Sequence, residues 1–179
     1  MKRSKFLVVA MVTAALAVWS LALAQNAPKT VLGNVVVQAQ FTAAAKGQPA
    51  MLYIVAEVEK GWHVFSITQK KGGPIATKLK LPASKDYRLL EEAFSVSPAP
   101  KTHEDPELWP DLPLEEHAGT VVWYVPIELS PGVDPKKLQI EGKVYAQRCT
   151  NSGVSPPACV PPKNFDFVAK LGPGVDIEE

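Results

Sequence analysis

The chain leaves almost no room for a long helix. Seventeen prolines are spread through its 179 residues, and each removes a backbone donor and blocks a helix interior. From residue 31 onward no segment sustains a 3.6-residue apolar period beyond about two turns. A period of two takes its place. Met51 to Val58 alternates Leu52, Ile54, Ala56 and Val58 with Tyr53, Val55 and Glu57, which is the pattern of a strand with one buried face.

Similar β-branched or aromatic runs follow at Val31 to Phe41, Trp62 to Ile67, Ile75 to Leu81, Tyr87 to Val96, Thr120 to Leu129, Leu138 to Ala146 and Phe165 to Val168. Lys46-Gly47, Lys60-Gly61, Gly72-Gly73-Pro74, Ser130-Pro131-Gly132 and Glu141-Gly142 punctuate them as turns. About eight short strands with regular turns predict an all-β chain folded as an antiparallel sandwich. Leu89 to Phe94 is also compatible with a short helical piece. Trp62, Trp123 and Tyr124 are expected to fill the core, as large aromatics on alternating strands do.

Two segments break the strand rhythm. Ser97 to Gly119 carries Pro98, Pro100, Pro106, Pro110 and Pro113 among the charges of His103-Glu104-Asp105 and Glu115-Glu116-His117. A connection this long inside one domain is usually functional or disordered. Leu108, Trp109 and Leu112 argue for a loop that covers something. The second segment, Arg148 to Lys163, holds both cysteines and the pairs Pro156-Pro157 and Pro161-Pro162.

The N-terminus predicts export. Met1-Lys2-Arg3-Ser4-Lys5 is a positive start, Phe6 to Ala24 is almost wholly apolar, and Ala22-Leu23-Ala24 is a small-x-small cleavage pattern. Cleavage is expected after Ala24, before Gln25. This 19-residue stretch would also span a bilayer if retained as an anchor. In either case the remainder is expected in the periplasm or outside the cell. Removing 24 residues leaves 155, enough for one domain with its own core. The remainder carries 16 basic against 18 acidic side chains, too balanced for a nucleic-acid footprint. Nothing in the composition calls for an obligate oligomer, so a monomer is expected.

An oxidising compartment allows Cys149 and Cys159 to pair. A hairpin-like connection would bring them within the roughly 4.4–6.8 Å Cα separation that a disulfide needs. Closing so short a loop contributes on the order of 3 kcal/mol, so the spacing alone allows either a structural bridge or a redox pair. Arg148 beside Cys149 would favour a thiolate, except that strand neighbours point to opposite faces.

Gly61-Trp62-His63-Val64-Phe65, Gly72-Gly73-Pro74-Ile75-Ala76-Thr77-Lys78, His103-Glu104-Asp105, Tyr145-x-x-x-Cys149 and Cys159-x-Pro161-Pro162 stand in that order. Together they resemble the N-terminal periplasmic domain of the thiol:disulfide interchange protein DsbD, over roughly Val31 to Val168. The resemblance implies an immunoglobulin-like β-sandwich that passes reducing equivalents between thioredoxin-like periplasmic partners. It implies that Cys159, before the prolines, attacks partner disulfides and that Cys149 closes the internal one. It also implies a cap loop over the cysteines around His103, Glu104, Asp105, Leu108 and Trp109, with Glu104 and Asp105 raising the thiol pKa. The nine-residue spacer between the cysteines is longer than in the best-known members. Pro106-Glu107-Leu108-Trp109 replaces their aromatic after the acidic pair. With no membrane or thioredoxin-like segment before Glu179, the expected electron donor is a separate membrane electron transporter.

Other chemistries find less support. His63, His103 and His117 invite a copper site, but such a site needs a clustered cysteine and often a methionine. Only Met51 follows the leader, and neither cysteine has a histidine close behind it. No metal or cofactor is therefore expected. Gly72-Gly73-Pro74 lacks the Lys-Ser/Thr and helix of a phosphate cradle. Glu115-Glu116 and Lys136-Lys137 are expected as solvated charges. The alternative to a redox carrier is a non-catalytic immunoglobulin-like interaction module with a structural disulfide.

Overall fold

The computed structural model describes residues 34–177 apart from 46, 152 and 154–156. The expected leader, Met1 to Ala24, and the predicted strand start at Val31 lie outside them. The alternating runs become β1 (Val35–Phe41), β2 (Ala50–Val58), β3 (Trp62–Phe65), β4 (Lys78–Lys80), β5 (Tyr87–Leu89), β6 (Ser95–Ser97), β9 (Thr120–Leu129), β10 (Ile140–Thr150) and β11 (Cys159–Leu171). Between β6 and β9 lie β7 (Lys101–Asp105) and β8 (Trp109–His117). No helix occurs among the described residues, and the Leu89 to Phe94 stretch is a bend between β5 and β6.

The architecture is an all-β sandwich of the immunoglobulin-like class. One run of strands is ordered β5–β9–β2–β1 and the other β11–β10–β3–β8–β7, with β6 added to β9 and β4 to β10. The expectation of a purely antiparallel sheet needs one correction. The two runs meet in a short parallel contact, Gln40 opposite Lys170 and Phe41 opposite Leu171. Each of those strands is antiparallel to its neighbour within its own run, and the seam leaves them pointing the same way.

Period-two alternation fills the interior. Leu52, Ile54 and Ala56 of β2 and Val121, Trp123 and Val125 of β9 point inward and are almost wholly buried. They join Val64, Val144, Ala146 and Phe167 from the other run in a single apolar core. Trp62 and Trp123 are in that core as expected. Tyr124 is not. Its odd place in β9 turns it outward, where it is half-buried and stacks on Tyr53 at 6.4 Å.

The proline-rich segment read as a loop is instead a hairpin, β7–β8, paired from Lys101 opposite Glu116 to Asp105 opposite Trp109. β8 in turn pairs with β3 at Val64–His117 and Phe65–Glu116. Pro110 and Pro113 lack donors, yet they fit because β8 meets β3 only at its C-terminal end. The rest of β8 is held by Gln69, whose amide donates to Pro113 O (3.2 Å) and accepts from Glu115 N (2.7 Å). Ser66 N donates to Glu115 O at 2.7 Å.

His117 comes from this hairpin into the core. It is 3% exposed, lies edge-on to Trp123 at 6.5 Å, and has an Nε2 without a hydrogen-bond partner. Burial pushes its pKa down to about 4, against a smaller upward pull from Glu115. An unfolded chain takes up the proton near the ordinary histidine value of about 6.5, so the folded state loses stability as pH falls from there toward about 4. Urea unfolding at pH 7 and pH 4.5 is expected to show a pH-dependent loss about 2 kcal/mol smaller in His117→Leu than in the native protein. Equal losses would mean that His117 is not held neutral in the core.

Candidate functional site

The site begins with a register shift. From Ile140–Ala169 to Ala146–Lys163, β10 and β11 pair in one register. Beyond it Arg148 faces Val160 and Cys149 faces Cys159. One residue, Gln147, is thus spanned by two, Pro161 and Pro162, in a β-bulge. Prolines suit such a place because a bulge leaves backbone donors unpaired. Without the shift Val160 would stand opposite Cys149. The bulge is fastened from within: Arg148, 4% exposed, donates from Nη2 to Pro161 O at 3.2 Å and lies over the Phe165 ring. Arg148 therefore serves the core face and lies on the opposite side of β10 from Cys149.

The two cysteines form a cross-strand disulfide with Cα atoms 4.1 Å apart, slightly inside the spacing expected for bridged pairs. Thr150 N donates to Ala158 O at 2.9 Å, and Ala158 N donates to Thr150 Oγ1 at 3.0 Å. Thr150–Ala158 is thus the hydrogen-bonded pair, and the cysteines occupy the closer pair beside it. Their environments differ. Cys149 is 5% exposed, whereas Cys159 is exposed to solvent. The two ends of the segment expected to interrupt the strands, with both cysteines, belong to β10 and β11.

On its other edge β10 pairs with β3, and there Cys149 stands opposite His63. Side chains directly opposite one another share a face, with Cβ atoms about 4.5–5.5 Å apart. His63 is 5% exposed. Its Nδ1 lies 3.2 Å from Asn151 Oδ1, and its ring meets Phe65 edge-on at 5.0 Å. Its Nε2 is 3.1 Å from Glu116 Oε1 but off the hydrogen-bond direction, so this buried nitrogen has no hydrogen-bond partner. The same carboxylate oxygen is 3.6 Å from His103 Nε2. Burial lowers the His63 pKa; Glu116 and the Asn151 hydrogen bond pull it up less strongly, and His103 pushes it down.

A cavity of about 200 Å³ joins these groups, and five strands curve round it from Cys159 on β11 to His103 on β7. Of the residues proposed as a cap, His103, Asp105, Leu108 and Trp109 line this cavity with both cysteines. Glu104 is exposed and is not part of the lining. Asp105 accepts from Leu108 N at 3.1 Å, which shapes the hairpin tip. Leu108 is 67% exposed at the rim. Trp109 and Leu112 rest on Gly73: a methyl there would come within 3.3 Å and 2.3 Å of them. The Gly-Gly-Pro turn is therefore the seat on which the hairpin tip lies.

Three members of this cluster are not assigned to it by the sequence: His63 stands there in the Gly61–Phe65 motif and as a metal-ligand candidate, Glu116 as a solvated charge, and Asn151 has no role. The readable signal was His63 two residues before Phe65 on a short strand, but its register against Cys149 requires the fold. Glu115 is also engaged, accepting a hydrogen bond from Thr68 Oγ1. The three histidines do not converge, because His117 lies on the core face. Among the described residues no group of three or more His, Cys, Asp or Glu side chains is arranged to hold a metal ion.

Inserting one alanine between Pro162 and Lys163 adds a residue that the one-residue bulge cannot absorb and is expected to set Val160 opposite Cys149. Refolded in air and then denatured, that variant should titrate two free thiols per chain where the native protein titrates none. A disulfide that still forms fully would show that the register shift does not align the pair. Compared with known proteins, the chain matches no family model and no curated relative, so the chemistry of the site rests on its own residues.

Proposed function

We propose that this protein is a periplasmic thiol-disulfide exchange protein that passes reducing equivalents between thioredoxin-like partners through Cys149 and Cys159. The observation that carries this reading is the asymmetry of the pair. One cysteine is exposed, and the other is buried beside a histidine in a cavity roofed by the β7–β8 hairpin. A bridge that only braced a hairpin would need neither the cavity nor the buried polar neighbours. The motif resemblance to the DsbD N-terminal domain supports the same assignment, as does the export pattern at the N-terminus.

In the reduced protein the Cys159 thiolate attacks a partner disulfide, forming a mixed disulfide and releasing one partner thiolate. The Cys149 sulfur then attacks Cys159, forming the internal disulfide and expelling the second partner thiolate. Two electrons leave this protein, and the protons of its two thiols balance those taken up by the partner. The reverse begins when a donor thiolate attacks the exposed Cys159 sulfur and the electron pair of the broken bond passes to Cys149. A membrane electron transporter with a thioredoxin-like end is the fitting donor. No metal or organic cofactor enters the cycle.

The division of labour is testable by capture. Reduced Cys149→Ser, incubated with an oxidised thioredoxin-fold protein and quenched with iodoacetamide, is expected to accumulate a one-to-one complex cleaved by dithiothreitol. Cys159→Ser should give at least tenfold less on non-reducing gels. Equal capture by both variants, or none by either, would leave the disulfide as a structural brace in an interaction module.

A further inference from the structure

The exchange cycle leaves one physical problem unsolved. Whenever the disulfide opens at Cys159, the electron pair goes to a sulfur that is 5% exposed. A buried thiolate is costly, and burial drives such a group toward its protonated form. In the opposite direction the buried thiol must lose a proton before it can attack. The site therefore needs a group that can hold that proton within reach of Cys149.

We propose that His63 is the acid–base partner of Cys149, with Glu116 positioning it and His103 connecting it to solvent. His63 stands directly opposite Cys149 on the neighbouring strand and lines the same cavity. Its Nδ1 is occupied by Asn151 Oδ1, which accepts a hydrogen bond from it. This leaves Nε2 as the nitrogen free to take a proton, buried and without a hydrogen-bond partner. A protonated ring is stabilised by Glu116 Oε1 at 3.1 Å. His103, with a side chain 42% exposed, lies 3.6 Å from that oxygen and forms the outer end of the chain of titratable groups.

The proton balance closes. In the oxidising direction Cys149 gives its thiol proton to His63, and its sulfur bonds to Cys159 as the partner thiolate leaves. In the reducing direction the proton shed by the donor thiol is passed to His63 Nε2 by way of His103, the S–S bond breaks, and Cys149 takes the electron pair and that proton from His63. Burial keeps His63 below its ordinary pKa and hence neutral, ready to accept, at neutral pH. The other charged or titratable groups on this face are few. Asp105 lines the cavity from β7, and Lys101 stands opposite Glu116 at the hairpin's outer edge. None of them is placed opposite Cys149.

This inference rests on the exchange reading, but a small disulfide can test it without a protein partner. Reduced full-length protein mixed with 5,5′-dithiobis(2-nitrobenzoate) should release thionitrobenzoate in two phases. The first reports Cys159 attack and the second the displacement of the label from Cys159 by Cys149. In His63→Gln the second phase at pH 7 should slow by about 10- to 100-fold, within the range of general acid–base catalysis or just below it, while the first stays within about twofold. In the native protein the second phase should fall away at low pH as His63 becomes protonated. Glu116→Gln, a nearly isosteric change at a partly buried side chain, removes the charge that favours protonation and should move that limb to lower pH. An unchanged second phase in His63→Gln would overturn the proposal. So would equal slowing of both phases, the mark of a merely structural role, or a Glu116→Gln profile superimposed on the native one. Failure to capture thioredoxin-fold proteins would be a separate result, striking the exchange function and not the pairing of His63 with Cys149.

Discussion

The site depends on a one-residue change of register between β10 and β11. Because strand side chains alternate with a period of two, a slip of one residue exchanges the faces of everything beyond it. Two adjacent prolines, unable to donate to a ladder, make the slip natural, and Arg148 fixes it by hydrogen bonding to Pro161 O from the core side. The consequence is that Cys159, not Val160, meets Cys149, and that both sulfurs belong to the outer face. The same face carries His63 on β3 and Glu116 on β8. The sandwich interior is a closed apolar core on the other side, so the sulfur chemistry is kept apart from the packing that holds the fold.

On the proposed exchange reading, position divides the roles. Cys149 sits on a central strand with neighbours on both edges, and the β7–β8 hairpin helps enclose it. Cys159 opens β11 at the end of the intercysteine loop and meets solvent. An incoming sulfur can reach one of them far more readily than the other, and access is one of the terms that sets exchange rates. The hairpin is itself attached through specific contacts: the Gln69 amide bridges Pro113 and Glu115, His117 is buried against Trp123, and the tip is seated on Gly73.

The fold was legible because most of the chain obeys simple alternation. β2 and β9 were bounded almost to the residue, since their inward positions are all apolar and their ends carry turn residues. The β7–β8 hairpin was not legible. Its prolines and charges mimic a loop, and its pairing is maintained by Gln69, a polar side chain distant in sequence whose role no local pattern announces. The cysteines and most of the cap could be named from their motifs, and four of the five named cap residues do line the cavity with the sulfurs. Glu104 does not, because it neighbours Asp105 on a strand and so takes the other face. His63, Glu116 and Asn151 come together only through the register of three strands. That register depends on a bulge whose effect cannot be deduced from the Pro-Pro pair alone.

The central claim is that the Cys149–Cys159 disulfide is working chemistry and not a brace. Its reduction potential tests this most directly, by equilibrating the folded protein against glutathione and dithiothreitol buffers and trapping the thiols with acid. A labile functional pair is expected to show a potential well above about −300 mV with rapid exchange. A potential below about −300 mV, with slow reduction of the folded protein, would contradict the claim and leave a sandwich stapled by a structural bond.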